Sequence, residues 1–324
     1  MEHTIVLSDT KTIDPRTQSE ILEGAGARVE VLDEKTEDAV IEAVSDADGL
    51  IVDSITPVTA RVLESSETLK VVGRAGIGVD NVDLIAAAEQ GITVVHVPDY
   101  CLDEVSTHAL SLLLACARNV PLHDRRVKEG TWDWREGRPL HRMRGRTLGL
   151  AGFGGIARRL AAKIRAYGME VIAYDPHVKA TEMDHYAVEK VGFEELLDRL
   201  DYLSVHTPLF EESRGMFSTG EFERMSDDAI VVNTARGPVV DQDALLAALE
   251  AGEIARAGLD VLESEPPDPE DPLLAREDVV VSPHTAWYSE ESRRDLSRSV
   301  ASDVAAVVNG ESPTNPVDIE LPWV

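Results

Sequence analysis

Apolar runs rich in Val and Ile alternate with segments of helical period along the whole 324-residue chain. TIVLSD (4–9), RVEVL (28–32), GLIVD (49–53), KVVGRA (70–75) and ITVVHV (92–97) have the length and β-branched content of buried strands. Between the last two, NVDLIAAAEQ (81–90) has the period of an amphipathic helix. A long apolar helix over 103–119 leads into a polar stretch containing Arg and Trp (121–146), and a second series of strands begins after it. Its members are TLGLAG (147–152), EVIAYD (170–175), YLSVHT (202–207), AIVVNTA (229–235), RAGLDV (256–261) and VVVSPH (279–284). Strands buried on both faces and joined by helices imply parallel sheets covered by crossovers. The expected class is α/β, with two doubly wound Rossmann-like domains. The last helix, 289–309, follows the second series, and its Val/Ala stripe allows a return to the first domain, which would then be discontinuous. The Pro/Asp-rich EPPDPEDP (265–272) reads as a rigid loop.

Composition narrows the function classes. The chain has 31 Lys and Arg against 60 Asp and Glu, a formal net charge of −29, with the acidic excess spread along the sequence. A nucleic-acid or anionic-membrane binder needs a basic face, so neither partner is expected. Only seven of the basic residues are Lys. Such a surface suits a salt-rich cytoplasm, because in molar salt the Debye length shrinks to about 3 Å and like-charge repulsion is screened. An ordinary acidic protein is the simpler alternative. Two cysteines, Cys101 and Cys116, form neither a disulfide framework nor a metal-type spacing, so both are expected to be packing residues and no metal is expected. The amino terminus lacks a signal pattern and no apolar run reaches membrane-spanning length, which predicts a cytoplasmic protein.

Strand TLGLAG runs into Gly152-Phe153-Gly154-Gly155-Ile156-Ala157 and then a helix. Here Gly152 permits a tight turn, Gly154 lets a pyrophosphate approach the backbone, and Ala157 keeps helix and strand close. The amides of Gly155 and Ile156 would meet the phosphates. Asp175 ends the next strand, where a carboxylate accepts from the adenosine ribose hydroxyls and repels a 2′-phosphate, so NAD is favoured over NADP. The bland alternative is a glycine turn with a capping Asp. An upstream decoy, Gly76-Ile77-Gly78-Val79-Asp80-Asn81, has Asp80 where the third small residue should be. The amides of Ala75, Gly76, Ile77 and Gly78 form instead a candidate seat for a substrate carboxylate, with a plain tight turn as the alternative.

Arg236, Glu265 and His284 stand at or beyond the carboxyl ends of strands in the second series, where open α/β folds bind ligands. Hydride transfer to a 2-keto acid needs a cation for the carboxylate and carbonyl, a proton donor, and a carboxylate to orient that donor. Arg, His and Glu suit these tasks in turn.

With those residues in place, LKVVGRAGIGVDNVDL (69–84), the Gly152 turn, VVNTARGPVVDQDALLAALEAGEIARAGLDVLESEPP (231–267) and SPHTAWYSEES (282–292) resemble the D-isomer-specific 2-hydroxyacid dehydrogenases over about 45–310. The resemblance implies Arg236, Glu265 and His284 as the catalytic set, and Thr207, Pro208, Thr234, Ala235, Arg236, Asp260 and His284 at the cofactor. Asp260 would hold the nicotinamide carboxamide. It further implies a flavodoxin-like catalytic domain (1–100 and 288–324) split by an inserted NAD-binding domain (101–287), an active site in the cleft between them, and a homodimer formed through the cofactor domain. HTAWYSEES, DYCLDEV and VDSITPVTARVL (52–63) look closest to the branch of the C-terminal binding proteins, NAD(H)-binding corepressors. By this likeness Trp287 would enter the substrate pocket and favour an apolar side chain, a hinge-packing Trp being the alternative. Phosphoglycerate dehydrogenases commonly carry an Arg where this chain has Asp53, whose charge should repel a phosphate, and no regulatory domain is expected after Val324. Formate dehydrogenases pair their His with Gln, whereas this chain has Glu265.

The expected function is an NAD(H)-dependent D-2-hydroxyacid dehydrogenase acting on a small 2-keto or 2-hydroxy acid. A D-3-phosphoglycerate dehydrogenase and a non-catalytic NADH-sensing regulator are the alternatives.

Overall fold

The computed structural model describes residues 3–8, 13–32 and 34–319. Asp9 of the expected first strand, and residues 1, 2 and 320–324 of the expected first domain, lie outside them. In chain order the strands are β1 (His3–Leu7), β2 (Ala27–Val31), β3 (Gly49–Val52), β4 (Val71–Arg74), β5 (Thr93–Val95), β6 (Thr147–Ala151), β7 (Glu170–Tyr174), β8 (Glu189–Lys190), β9 (Tyr202–Val205), β10 (Ile230–Asn233), β11 (Arg256–Leu259) and β12 (Val279–Val281). The helices used below are α1 (Pro15–Gly24), α2 (Leu102–Arg118), α3 (Val120–Lys128), α4 (Gly155–Ile164) and α5 (Glu290–Val308).

The chain divides into two compact units, one of residues 1–101 and 288–324, the other of residues 102–287. In the first, five parallel strands stand in the order β2-β1-β3-β4-β5, the flavodoxin-like arrangement. Helix α5 packs on β3, β4 and β5 and against α1, through Leu296, Val300, Ala301 and Val304, all fully buried. Ser289 caps α5, its hydroxyl accepting from the Ser292 amide at 2.9 Å.

In the second unit seven parallel strands run β12-β11-β10-β9-β6-β7-β8. The strand order reverses at β6, which pairs with β7 on one side and β9 on the other. In open α/β sheets that switch point, at the carboxyl ends of the strands, is the ligand crevice. Fully buried Leu148, Leu150, Phe153, Leu160 and Ile164 make the core between α4 and the sheet.

Three local expectations are corrected. Of β2, only Ala27 is buried, and β12 is buried only at Val279, because each is an edge strand with a neighbour on one side. The polar stretch after α2 contains α3, separated from α2 by Asn119 in the left-handed region (φ 52°). A Pro in its first turn and Arg125, Arg126 and Lys128 in its last were signals available in the sequence. Among the described residues no helix is long and apolar enough to cross a membrane, and no group of His, Cys, Asp or Glu is arranged to hold a metal. Cys101 and Cys116 are buried free thiols, and burial pushes the Cys116 thiol up to about 12.

Candidate active site

The turn after β6 takes the shape its glycines allow. Gly152 lies at φ +88°, and a Cβ there would stand 2.9 Å from the His206 carbonyl oxygen, so both conformation and space require glycine. Gly154 is the amino-terminal cap of α4, with no side chain capping the helix and nothing within 4 Å of where its Cβ would be. Ala157 is fully buried against the sheet. An open, uncapped helix start at the switch point is the surface a pyrophosphate needs, so these residues fit the dinucleotide.

Asp175 stands at the end of β7, but its carboxylate already works on the protein. Oδ2 accepts from the Phe153 amide at 2.8 Å, and Oδ1 from the amides of His177 (2.9 Å) and Val178 (3.3 Å). It therefore braces the glycine turn and retains lone pairs for a ribose. Across the switch point the Thr207 hydroxyl donates to the Ala151 carbonyl at 3.1 Å, and the Pro208 carbonyl accepts from the Ser213 hydroxyl at 2.7 Å. Thr234, at the end of β10, is 9% exposed, and among the described residues its buried hydroxyl meets no acceptor or donor. A polar atom of this kind costs free energy until something pairs with it. The Ala235 amide donates to the Asn233 side chain at 3.0 Å.

Arg236, Glu265 and His284 come together in the second unit. A Cβ on Gly237 would lie 1.9 Å from the Leu262 carbonyl oxygen, so glycine lets the loop bearing Arg236 press against the one bearing Glu265. Glu265 Oε1 accepts from the Leu262 amide at 3.1 Å, and Oε2 lies 2.6 Å from His284 Nδ1. Burial alone would raise the Glu265 carboxyl, but its bond to His284 and the charges of His284 and Arg236 hold it below its ordinary value. An ionised carboxylate only accepts, so His284 Nδ1 carries the hydrogen and Nε2 of the neutral ring is left to exchange a proton.

Two further residues of the implied set are tied to the His284 loop. Asp260 is 2% exposed, and its carboxylate accepts from Ser282, Thr285 and Ala286, so it braces the His284 loop. Trp287 is half-buried and its indole N–H donates to the His284 carbonyl at 3.0 Å, which ties it to the same loop.

In the first unit, two of the four amides expected to seat an anion are already used by the protein. The Ala75 amide donates to Val52 and the Gly76 amide to Arg74. The carbonyls of Ala75, Gly76 and Ile77 are drawn inward by Arg74 Nη1 (3.0 Å), the Val97 amide (2.9 Å) and His96 Nδ1 (2.8 Å). In a trans peptide the N–H points opposite to the preceding carbonyl, so the amides of Ile77 and Gly78 face away from these donors and are the two of the four candidates left for an anion. The argument from Asp53 is also corrected. That carboxylate is 5% exposed, caps the Ile55 and Thr56 amides at 3.1 and 3.0 Å, and is paired with Lys35, so its charge is compensated and gives no ground for excluding a phosphate.

Residues 110–286 match the NAD binding domain of the D-isomer specific 2-hydroxyacid dehydrogenases. A D-3-phosphoglycerate dehydrogenase of Archaeoglobus fulgidus is 39% identical over 91% of this chain, which spans only 56% of that relative's length. A glyoxylate reductase of Korarchaeum cryptofilum is 40% identical over 87% of this chain and 86% of its own. The crystal structure of a glyoxylate reductase from Paecilomyes thermophila superposes with a TM-score of 0.89 at 26% identity, covering 98% of this chain and 99% of that one. The chain belongs to the D-isomer specific 2-hydroxyacid dehydrogenase family.

Proposed function

We propose that this protein is an NAD(H)-dependent D-2-hydroxyacid dehydrogenase that interconverts a small 2-keto acid and its D-2-hydroxy acid. The observation that carries this reading is the pair of His284 Nδ1 and Glu265 at 2.6 Å, under the charge of Arg236, in the sheet whose switch point bears the dinucleotide turn. Gly152, Gly154, Gly155 and Ile156 would receive the pyrophosphate, Asp175 the ribose, and Thr207, Pro208, Thr234 and Ala235 would line the remainder. When bound, the cofactor supplies or accepts the hydride at C2. His284 Nε2 gives a proton to the carbonyl oxygen in reduction and takes it back from the hydroxyl in oxidation, while Glu265 fixes the tautomer and stabilises the imidazolium. Arg236 holds the carboxylate and polarises the carbonyl. The amides of Ile77 and Gly78 are a second anion-binding group in the first unit.

Residues 102–287 act as the cofactor unit, and residues 1–101 with 288–324 as the catalytic unit. Trp287, oriented by its bond to the His284 carbonyl, favours an apolar substrate side chain. The protein works in the cytoplasm as a homodimer formed through the cofactor unit, where Trp132 and Trp134 are 89% and 73% exposed. Large apolar side chains left that open are the kind a partner surface covers.

The test is NADH consumption in molar salt with glyoxylate, branched and thioether 2-keto acids and phosphohydroxypyruvate, beside His284→Ala. Turnover that falls by about 10² to 10⁴ in the variant, with NADH affinity kept, supports the reading. Tight NADH binding without turnover on any of these acids replaces it by the NADH-sensing alternative. Preference for phosphohydroxypyruvate moves the substrate to the phosphoglycerate class.

A further inference from the structure

Behind the loop that carries His284, a chain of hydrogen bonds runs to α2. Asp260 Oδ1 accepts from the Ser282 hydroxyl at 2.6 Å and the Thr285 amide at 3.0 Å, and Oδ2 accepts from the Ala286 amide at 2.8 Å. The Asp260 carbonyl accepts from the His284 amide at 2.8 Å. His108, on α2, places Nε2 2.8 Å from Ser282 Oγ and 3.4 Å from Asp260 Oδ1. The chemistry of these groups orders the chain. A carboxylate only accepts, so the single hydroxyl proton of Ser282 goes to Asp260 and its lone pairs face the imidazole. Nε2 of His108 therefore carries a hydrogen.

What this chain holds in place is a strained residue. His284 lies at φ +49°, a left-handed conformation that is sterically unfavourable for a residue with a Cβ. Such strain persists where the surroundings over-determine it. Here the amides of 284, 285 and 286 all bond to Asp260, while the Trp287 indole binds the 284 carbonyl. With Asp260 buried, the orientation of its carboxylate and the offset of its charge depend on Ser282 and His108.

We propose that His108 and Ser282 are positioning residues for proton transfer: acting through Asp260, they hold the 282–286 loop so that His284 presents Nε2 in the reactive direction. Neither touches the reacting atoms. The inference rests on the dehydrogenase reading for its effect on rate, and on the hydrogen bonds alone for its effect on the loop.

The experiment joins steady-state kinetics to hydrogen–deuterium exchange of the cofactor-free protein. Ser282→Ala and His108→Phe each lower kcat about tenfold or more, since small misplacement of a reacting group is costly. KM for the keto acid and the NADH dissociation constant stay within about twofold, and the Thr285 and Ala286 amides exchange faster. Ser282→Thr and His108→Gln, which keep a hydroxyl and an N–H donor, restore rate and protection. The double variant loses no more than the worse single, because both act through one chain. Wild-type kcat in the two disruptive variants overturns the proposal, as does lost rate without faster exchange at 285 and 286, or lost rate that neither conservative variant restores. A wild-type protein inert on all keto acids sinks the dehydrogenase reading instead. The exchange measurement then decides alone, faster exchange supporting the positioning role and unchanged exchange overturning it.

Discussion

Single side chains in this site carry more than one task, and that shapes what their replacement does. Glu265 is held below the usual carboxylate range by His284 and Arg236, so its share of stability is complete above its ordinary value of 4.5 and is lost as pH falls through the lowered one. Glu265→Gln removes the charge that stabilises the imidazolium. The pH–rate profile of the pair should therefore move toward lower pH by about one unit or more, and an unmoved profile would mark a purely structural Glu. Asp175 is the second case. Because it braces the amides of Phe153, His177 and Val178, Asp175→Ala should weaken NADH at least tenfold while relaxing the exclusion of NADPH, and titration with both cofactors measures each effect. A mutant that still rejects NADPH would assign discrimination to another residue.

Elements meet in this protein through backbone contacts that leave no room for a side chain. Gly237 is the sharpest instance, since a Cβ would stand 1.9 Å from a main-chain oxygen of the Leu262–Glu265 loop. Gly237→Ala is expected to lower stability by about 1–3 kcal/mol and to depress kcat by separating Arg236 from Glu265. Thermal unfolding and kinetics check the two effects, and full activity would show that the loops can part without consequence. A different weakness lies on α1. Gln18 is fully buried on α1, and among the described residues neither end of its amide has a hydrogen-bond partner. Replacing it with Leu removes that cost, so Gln18→Leu should raise Tm by a few degrees.

Over the whole molecule, the excess of Arg over Lys acquires a structural meaning. Arg126 reaches Glu129, Glu136 and Glu277; Arg199 reaches Glu189 and Glu195; Arg224 reaches Glu194 and Asp198; and Arg61 reaches Glu37 and Asp38. A guanidinium fork can serve several carboxylates at once, which stretches few cations over many acids. Exposed pairs of this kind are worth about 0–1 kcal/mol each and weaken in salt, whereas a net charge of −29 repels itself until screened. The second effect is the larger. Tm should rise by about 10 °C between 0.1 and 2 M KCl, and a flat or falling melting curve would end the salt-adaptation reading.

Strand periodicity, the glycine turn and the positions of Arg236, Glu265 and His284 at strand ends were legible in the residues, because buried parallel strands and tight turns impose local patterns that do not depend on distant neighbours. Less local facts were not. Whether RVEVL is an edge or a central strand depends on how many strands pair with it, and whether Asp53 repels a phosphate depends on Lys35. The reach of His108 to Ser282, 174 residues away, leaves no pattern in either segment. The bracing of the His284 loop by Asp260 is equally silent in the motif, because burial and hydrogen-bond partners are set by long-range packing and not by spacing along the chain.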